Sequence, residues 1–259
     1  MKHIARKRFG QNFLQDDNVL GHIIESINPQ ANDAMVEIGP GLAAMTDLLL
    51  RSARHMHVVE LDRDLVARLE KQYPRERLTV HSCDALKFDF ASIPVPEGQK
   101  LRVVGNLPYN ISSPLLFHLA QYAPQVQDQH FMLQKEVVER MVAEPGSKTY
   151  GRLSVMLQWR YRMSLLFIVP PDAFDPPPKV DSAIVRMIPV ANPLPCDQAT
   201  LEAVVQKAFS QRRKVIRNCL SGMFTEEQII AAGVTPTDRP ETVPLEGYVA
   251  LANLLKPIG

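Results

Sequence analysis

The chain has 259 residues, 46% of them hydrophobic, enough to bury one substantial core and carry a small appended domain. No apolar run approaches the roughly 20 residues of a membrane helix, and the basic start Met1–Arg8 is not followed by the apolar stretch of a signal peptide, so the segment is expected to be kept in a cytoplasmic protein. Cys83, Cys196 and Cys219 are odd in number and lack CxxC spacing, which supports neither a disulfide framework nor a zinc site, and a net charge of +1 by itself argues against indiscriminate nucleic-acid binding.

The charge is unevenly placed. Lys2, Arg6, Lys7 and Arg8 stand together without an acid. Asp16 or Asp17 then caps a helix in which Val19, Leu20, Ile23, Ile24 and Ile27 recur at helical spacing until Asn28-Pro29 stops it. The period changes at Met35–Ile38, read as a strand, followed by the turn Gly39-Pro40-Gly41 and a helix over 43–53. Strands over 56–61 and 78–81 flank a helix over 64–72, and a fourth strand over 101–105 closes on Asn106. A helix over 114–122 and strands over 130–134, 164–169 and 182–188 follow. Such alternation predicts a parallel sheet with crossover helices, whose ligands bind beyond the carboxyl ends of the strands. Pro189 to Pro195 reads as a linker, so domains are expected over 1–192 and 193–259, the second all-helical with helices over 199–209, 214–222, 226–232 and 245–255. It carries a second basic cluster, Lys207, Arg212, Arg213, Lys214 and Arg217, which suits phosphates but also a solvated helix face.

The chemistry-bearing residues fall just after strands. Gly39 and Gly41 would let backbone approach a ligand, and Glu60, about 20 residues on, would accept hydrogen bonds from ribose hydroxyls. Ala43 and Ala44 stand where the third glycine of a dinucleotide fingerprint belongs, which favours a nucleoside cofactor without a pyrophosphate; glycines serving only a strand-to-helix turn are the plainer reading. Asn106-Leu107-Pro108-Tyr109 is the sharper signal. The lone pair of an adenine amine is delocalised into the ring, and two acceptors, the Asn106 side-chain carbonyl and the Leu107 backbone carbonyl, would draw the nitrogen toward a tetrahedral, nucleophilic geometry. Pro108 would fix the turn and Tyr109 would offer a face for the base, although an ordinary Asn-X-Pro turn has the same letters. His55 and His57 point the same way from a strand but show no partner ligand, so no metal is expected; Ser112-Ser113-Pro114 reads as a helix cap and Trp159 as packing.

With these motifs on view, the chain resembles the ribosomal RNA adenine N6-dimethyltransferases, in particular those of the bacterial small subunit, over essentially its whole length. The resemblance is carried by Phe9–Leu14, Glu37–Leu42, Val59–Asp62, Cys83–Leu86, Gly105–Asn110, Gln134–Glu136, Phe174–Val180 and Phe209–Lys214. It implies a Rossmann-like class I methyltransferase domain with a small C-terminal helical domain. It also implies that Asn12, Leu14, Gly39, Gly41, Glu60, Asp84, Ala85 and Asn106 line an S-adenosylmethionine site, with Asp84 toward the adenine amine of the cofactor. Asn106, Leu107, Pro108, Tyr109 and Phe174 would carry catalysis, Phe174 packing on the target base opposite Tyr109; a core phenylalanine is the plainer reading of Phe174. The implied partner is rRNA in the small subunit or its precursor, bound through Arg6, Lys7, Arg8, Arg212, Arg213, Lys214 and Arg217, by a monomer without membrane or metal. The implied reaction is dimethylation of two adjacent adenosines in a hairpin loop near the 3′ end of that RNA. Two other readings stand beside it: a resistance-type methyltransferase of large-subunit rRNA, and a non-catalytic assembly factor.

Overall fold

The structure is a computed structural model that describes residues 12–211 and 213–256. A two-residue strand β1 (Phe13–Leu14) leads into helix α1 (Asp17–Ile27), capped by the Asp16 carboxylate, which accepts from the N–H groups of Asn18 and Val19 at 2.9 and 3.0 Å. The helix stops at Asn28, whose φ of 48° ends the hydrogen-bond ladder before Pro29. Next come β2 (Ala34–Ile38), α2 (Ala44–Ser52), β3 (Met56–Glu60), α3 (Arg63–Gln72), β4 (Leu78–Ser82), β5 (Leu101–Asn106), α4 (Ser112–Ala120), β6 (Val126–Gln134), α5 (Lys135–Met141), α6 (Arg152–Arg160), β7 (Tyr161–Val169), β8 (Phe174–Asp175) and β9 (Ser182–Pro189). Four helices close the described chain: α7 (Gln198–Phe209), α8 (Ile216–Cys219), α9 (Glu226–Ala231) and α10 (Leu245–Leu255).

Seven strands form one sheet in the order β4-β3-β2-β5-β6-β9-β7, with β4 to β6 parallel and β9 antiparallel to β6. The chain runs outward from β2 through β3 and β4, then jumps back to β5 on the other side of β2. That reversal opens a crevice between the carboxyl ends of β2 and β5, where doubly wound sheets hold their ligands. The α1 side of the sheet is packed by Leu20, Ile23 and Ile27 against Met35, Met56, Val104 and Met132. At the opposite end of the strands, Arg102 of β5 is tied to Asp128 of β6 at 2.8 Å and Asp33 at 2.6 Å, and donates to the carbonyls of Ile27 and Asn28. One guanidinium thus satisfies the end of α1, and both carboxylates that neutralise it sit beside it.

The chain divides into two compact units, 12–138 with 163–189, and 139–162 with 190–256. The expected domains, 1–192 and 193–259, differ from these units in that residues 139–162 group with the C-terminal helices. Residues 139–162 belong with the C-terminal helices for identifiable reasons. Trp159 Nε1 donates to the Leu194 carbonyl at 2.8 Å, Val190 N–H to the Arg160 carbonyl at 2.8 Å, and Tyr150 meets Phe209 edge-on at 6.4 Å between ring centres. The second unit is helical, its core including Val155, Leu157, Leu201, Val205 and Tyr248. Among the described residues no helix is long and apolar enough to cross a membrane.

Candidate active site

The crevice at the reversal point is a cavity of about 350 Å³, within the usual size of small-molecule sites. Its first wall is the turn after β2. Gly39, Gly41 and Ala43 all take left-handed backbone, with φ of 68°, 57° and 72°. At Gly41 an added Cβ would stand 3.1 Å from the Phe13 ring, so the absence of a side chain lets Phe13 close over the turn. Ala43 takes this conformation despite its Cβ, at a cost of about 1 to 2 kcal/mol in backbone strain. Glu37, one residue before the end of β2, also lines the cavity and is fully buried. Thr46 Oγ1 donates to its Oε2 at 2.5 Å, yet burial pushes the carboxyl up to about 7.

Two further carboxylates sit on the neighbouring strand ends. Glu60 closes β3, its Oε1 accepting the Asp62 N–H at 2.8 Å and its Oε2 the Gly41 N–H at 3.4 Å. Burial raises its pKa and those backbone donors oppose the rise, so the group is held by the glycine turn with acceptor capacity left over. Asp84, after β4, accepts the Leu86 N–H on Oδ1 at 3.0 Å. Asn12, Phe13, Leu14, Leu61 and Ala85 complete this part of the lining.

The second wall is the end of β5. The Asn106 Nδ2 donates to the Asn12 backbone carbonyl at 3.1 Å. A carbonyl accepts only from the NH₂ side of an amide, so this bond assigns the orientation of the side chain and leaves Oδ1 as an acceptor. Leu107 N–H reaches the Met132 carbonyl at 3.1 Å, the Pro108 carbonyl accepts from Ile111 N–H at 3.2 Å, and Ser112 Oγ donates to the Tyr109 carbonyl at 3.1 Å. Tyr109 itself is half-buried, its phenol 2.7 Å from Ser182 Oγ. Gly105 allows β2 and β5 to approach here, since a Cβ on it would lie 2.6 Å from the Ile38 carbonyl oxygen.

Asn12, Leu14, Gly39, Gly41, Glu60, Asp84, Ala85, Asn106, Leu107, Pro108 and Tyr109 therefore line one cavity. Phe174 does not. It is 5% exposed, packs in the core with Leu14, Val169 and Ala173, and its backbone pairs with Leu14 across the short β1–β8 ladder. An aromatic side chain gains about 1.5 to 3 kcal/mol from such burial, which explains its choice of the core over the cavity wall. Arg213 and Lys214 are exposed between α7 and α8 of the second unit, and Arg217 is exposed on α8, 3.4 Å from Glu226. Arg6, Lys7, Arg8 and Arg212 lie outside the described residues. His55 bonds Thr79 at 2.9 Å and His57 bonds His81 at 3.0 Å, and among the described residues no group of three His, Cys, Asp or Glu suits a metal ion. Trp159 lies under the Arg160 guanidinium at 3.9 Å. Sequence reasoning missed Phe13, which lines the cavity, and Thr46 and Ser182, which bond the lining residues Glu37 and Tyr109. Phe13 and Ser182 stood inside or beside quoted motifs without a role, and nothing in the sequence pairs Thr46 with Glu37.

A family model described as ribosomal RNA adenine dimethylase matches residues 2–256 of the chain. The chain is 75% identical over 255 residues to ribosomal RNA small subunit methyltransferase A of Janthinobacterium sp. (strain Marseille), covering 98% of this chain and 100% of that protein. It is 56% identical over 258 residues to the protein of the same name in Chromobacterium violaceum, with coverage of 98% and 97%. Among solved structures, a dimethyladenosine transferase from Plasmodium falciparum superposes with a TM-score of 0.79 at 24% identity, covering 92% of this chain and 95% of that one. The 23S rRNA methyltransferase ErmE superposes with a TM-score of 0.73 at 27% identity, covering 93% and 98%.

Proposed function

Since the chain belongs to the ribosomal RNA adenine dimethylase family, we propose that its cavity uses S-adenosylmethionine to dimethylate N6 of two adjacent adenosines in a hairpin loop near the 3′ end of small-subunit rRNA. The observation that carries this reading is the Asn106 side chain, held by the Asn12 carbonyl with its own oxygen left as an acceptor at the switch point of the sheet. The residues present fit the cofactor. The backbone of Gly39 and Gly41 faces the cavity and suits close approach of its methionine part. Glu60 keeps acceptor capacity for ribose hydroxyls, and Asp84 for the adenine amine. When bound, the cofactor supplies a methyl carbon made electrophilic by a sulfonium.

The chain's own residues then have three tasks. Asn106 Oδ1 and the Leu107 carbonyl accept the two N–H groups of the target amine, which orients its lone pair out of the ring plane and stabilises the positive charge that grows on nitrogen. The Tyr109 ring gives the base a flat partner, so the adenine must be unpaired or flipped out of its stack to reach it. Phe13 and Leu14 cover the cavity beside Asn106 and exclude water. Methyl transfer from labelled cofactor to small subunits lacking the modification tests the proposal. Dimethyladenosine in the digested small-subunit RNA is the expected product; label appearing only in large-subunit rRNA would favour the resistance-type alternative, and no label at all would favour a binding protein.

Cofactor affinity should depend on Glu60. Glu60→Ala removes charge-assisted hydrogen bonds of about 1.5 to 3 kcal/mol, an expected loss of about ten- to a hundredfold in affinity by titration calorimetry. An unchanged Kd in a folded variant would take Glu60 out of the site. The exposed pair Arg213 and Lys214 is proposed to contact RNA phosphates, together with Arg217 and with Arg6, Lys7, Arg8 and Arg212. Replacing Arg213 and Lys214 by Ala should lower rRNA affinity and flatten its dependence on salt by about one to two released counterions, leaving cofactor affinity alone. A wild-type slope of log affinity against log salt would reduce the pair to a solvated surface.

A further inference from the structure

We infer that Ser182 is a positioning residue for the Tyr109 ring, fixing the angle at which that ring meets the target base; the inference rests on the function proposed above. Stacking on an aromatic face needs no hydroxyl, and a phenylalanine would offer the same surface. Here the phenol is used, 2.7 Å from Ser182 Oγ, and Ser182 has no solvent exposure at all. The hydroxyl is therefore held in place by protein, not water, and the ring is held at its far end.

Ser182 is itself rigid. It is the first residue of β9, in register with Gln134 of β6, and two residues along the same ladder Ile184 is opposite Met132, which in turn is opposite Asn106 of β5. The residue before it, Asp181, accepts the Lys135 N–H on its carbonyl at 3.0 Å, and its carboxylate faces the Lys135 ammonium at 3.8 Å. The serine hydroxyl is thus referenced through the main-chain ladder to the same end of the sheet as Asn106. Tyr109, by contrast, lies in the turn beyond β5, where its carbonyl is bonded to Ser112 Oγ. Without Ser182 the phenol loses the hydrogen bond that ties it to β9; with it, the stacking face is set relative to the Asn106 acceptor. A base clasped by both must satisfy a distance and an angle together, and errors of about 1 Å in such geometry cost large factors in rate.

The experiment compares Ser182→Ala, Ser182→Thr, Tyr109→Phe and the double variant Ser182→Ala/Tyr109→Phe. Single-turnover methyl transfer to under-methylated small subunits is measured at saturating cofactor, beside cofactor affinity by calorimetry and the exchange of the Tyr109 hydroxyl proton by NMR. Ser182→Ala and Tyr109→Phe should each slow transfer about five- to tenfold, as loss of one hydrogen bond would, and the double variant should be no slower than either. Ser182→Thr should restore the rate, cofactor Kd should stay within about twofold, and the hydroxyl proton should be protected in wild type but not in Ser182→Ala. A wild-type rate in Ser182→Ala, effects that multiply in the double variant, or cofactor affinity falling in parallel with rate would overturn the inference. If Ser182→Ala does not fold, Tyr109→Phe at wild-type rate overturns it and Tyr109→Phe slowed with intact cofactor binding supports it. A wild-type protein that leaves adenine unmethylated removes the proposed function and this inference together, whereas an active wild type with an indifferent Ser182→Ala removes this inference alone.

Discussion

Asn106→Ala is expected to slow methyl transfer by about a hundred- to a thousandfold while the protein remains folded. The estimate takes the loss of one fixed polar partner to a developing charge, about 2.7 to 4 kcal/mol, as the measure for losing one acceptor. The amide is not free to turn, because its Nδ2 is spent on the Asn12 carbonyl, so its oxygen is aligned before any substrate arrives. Alanine removes the acceptor and also releases the Asn12 end of the cavity wall, which should weaken cofactor binding by a few-fold at most. Single-turnover rates at saturating cofactor separate the two effects. Asn106→Asp keeps the acceptor but gives up the donor to Asn12, so it should lie between alanine and wild type. If Asn106→Ala transfers both methyl groups at near wild-type rate, activation of the amine by this side chain is wrong.

Gly105→Ala should damage both fold and site, through one contact. The added Cβ would stand 2.6 Å from the Ile38 carbonyl and 3.1 Å from the Leu107 side chain. The carbonyl is backbone of a central strand, paired in register with Gly105 itself, and cannot swing away as a side-chain tip would. Overpacking of this kind costs about 1 to 3 kcal/mol, and forcing β2 from β5 also moves the glycine turn away from Asn106. The expected result is a melting temperature lower by several degrees together with loss of measurable methyl transfer. Full activity at a wild-type melting temperature would show that the two strands part without consequence.

The parallel half of the sheet was legible because its strands are short apolar runs punctuated by turns and helices of clear period. The same logic placed Glu60, Asp84 and Asn106 correctly at strand ends, since residue type and topology point to the same place. Where chemistry and burial parted, the reading failed. β6 begins at Val126, four residues before the expected start, because Asp128 and Gln129 look exposed by type but are buried, Asp128 against Arg102. Residues 135–162 carry no long amphipathic period and are broken by Pro145-Gly146, so the short α5 and α6 went unseen. Contacts across long stretches of chain left no local trace: Asn12 to Asn106 spans 94 positions and Tyr109 to Ser182 spans 73. Phe174 misled for another reason, since a motif specifies neither the rotamer nor the neighbours of an aromatic ring, and Leu14 and Ala173 offered it a core.

The helical unit is written in two instalments. α6 is synthesised with the first, while α7 and α10, which pack against it, belong to the second. At the usual pace of about 5 to 20 residues per second, the roughly 100 residues from α6 to the end of α10 take about 5 to 20 s to appear. Until α7 and then α10 appear, the nascent chain holds Val155, Leu157 and Trp159 without the helices that pack on α6, although they are buried in the finished molecule. The sheet faces no such delay, since its last strand, β9, is complete at Pro189. Birth order therefore differs from architecture: every strand of the sheet is synthesised before α7 and α10, the two helices that pack on α6, exist.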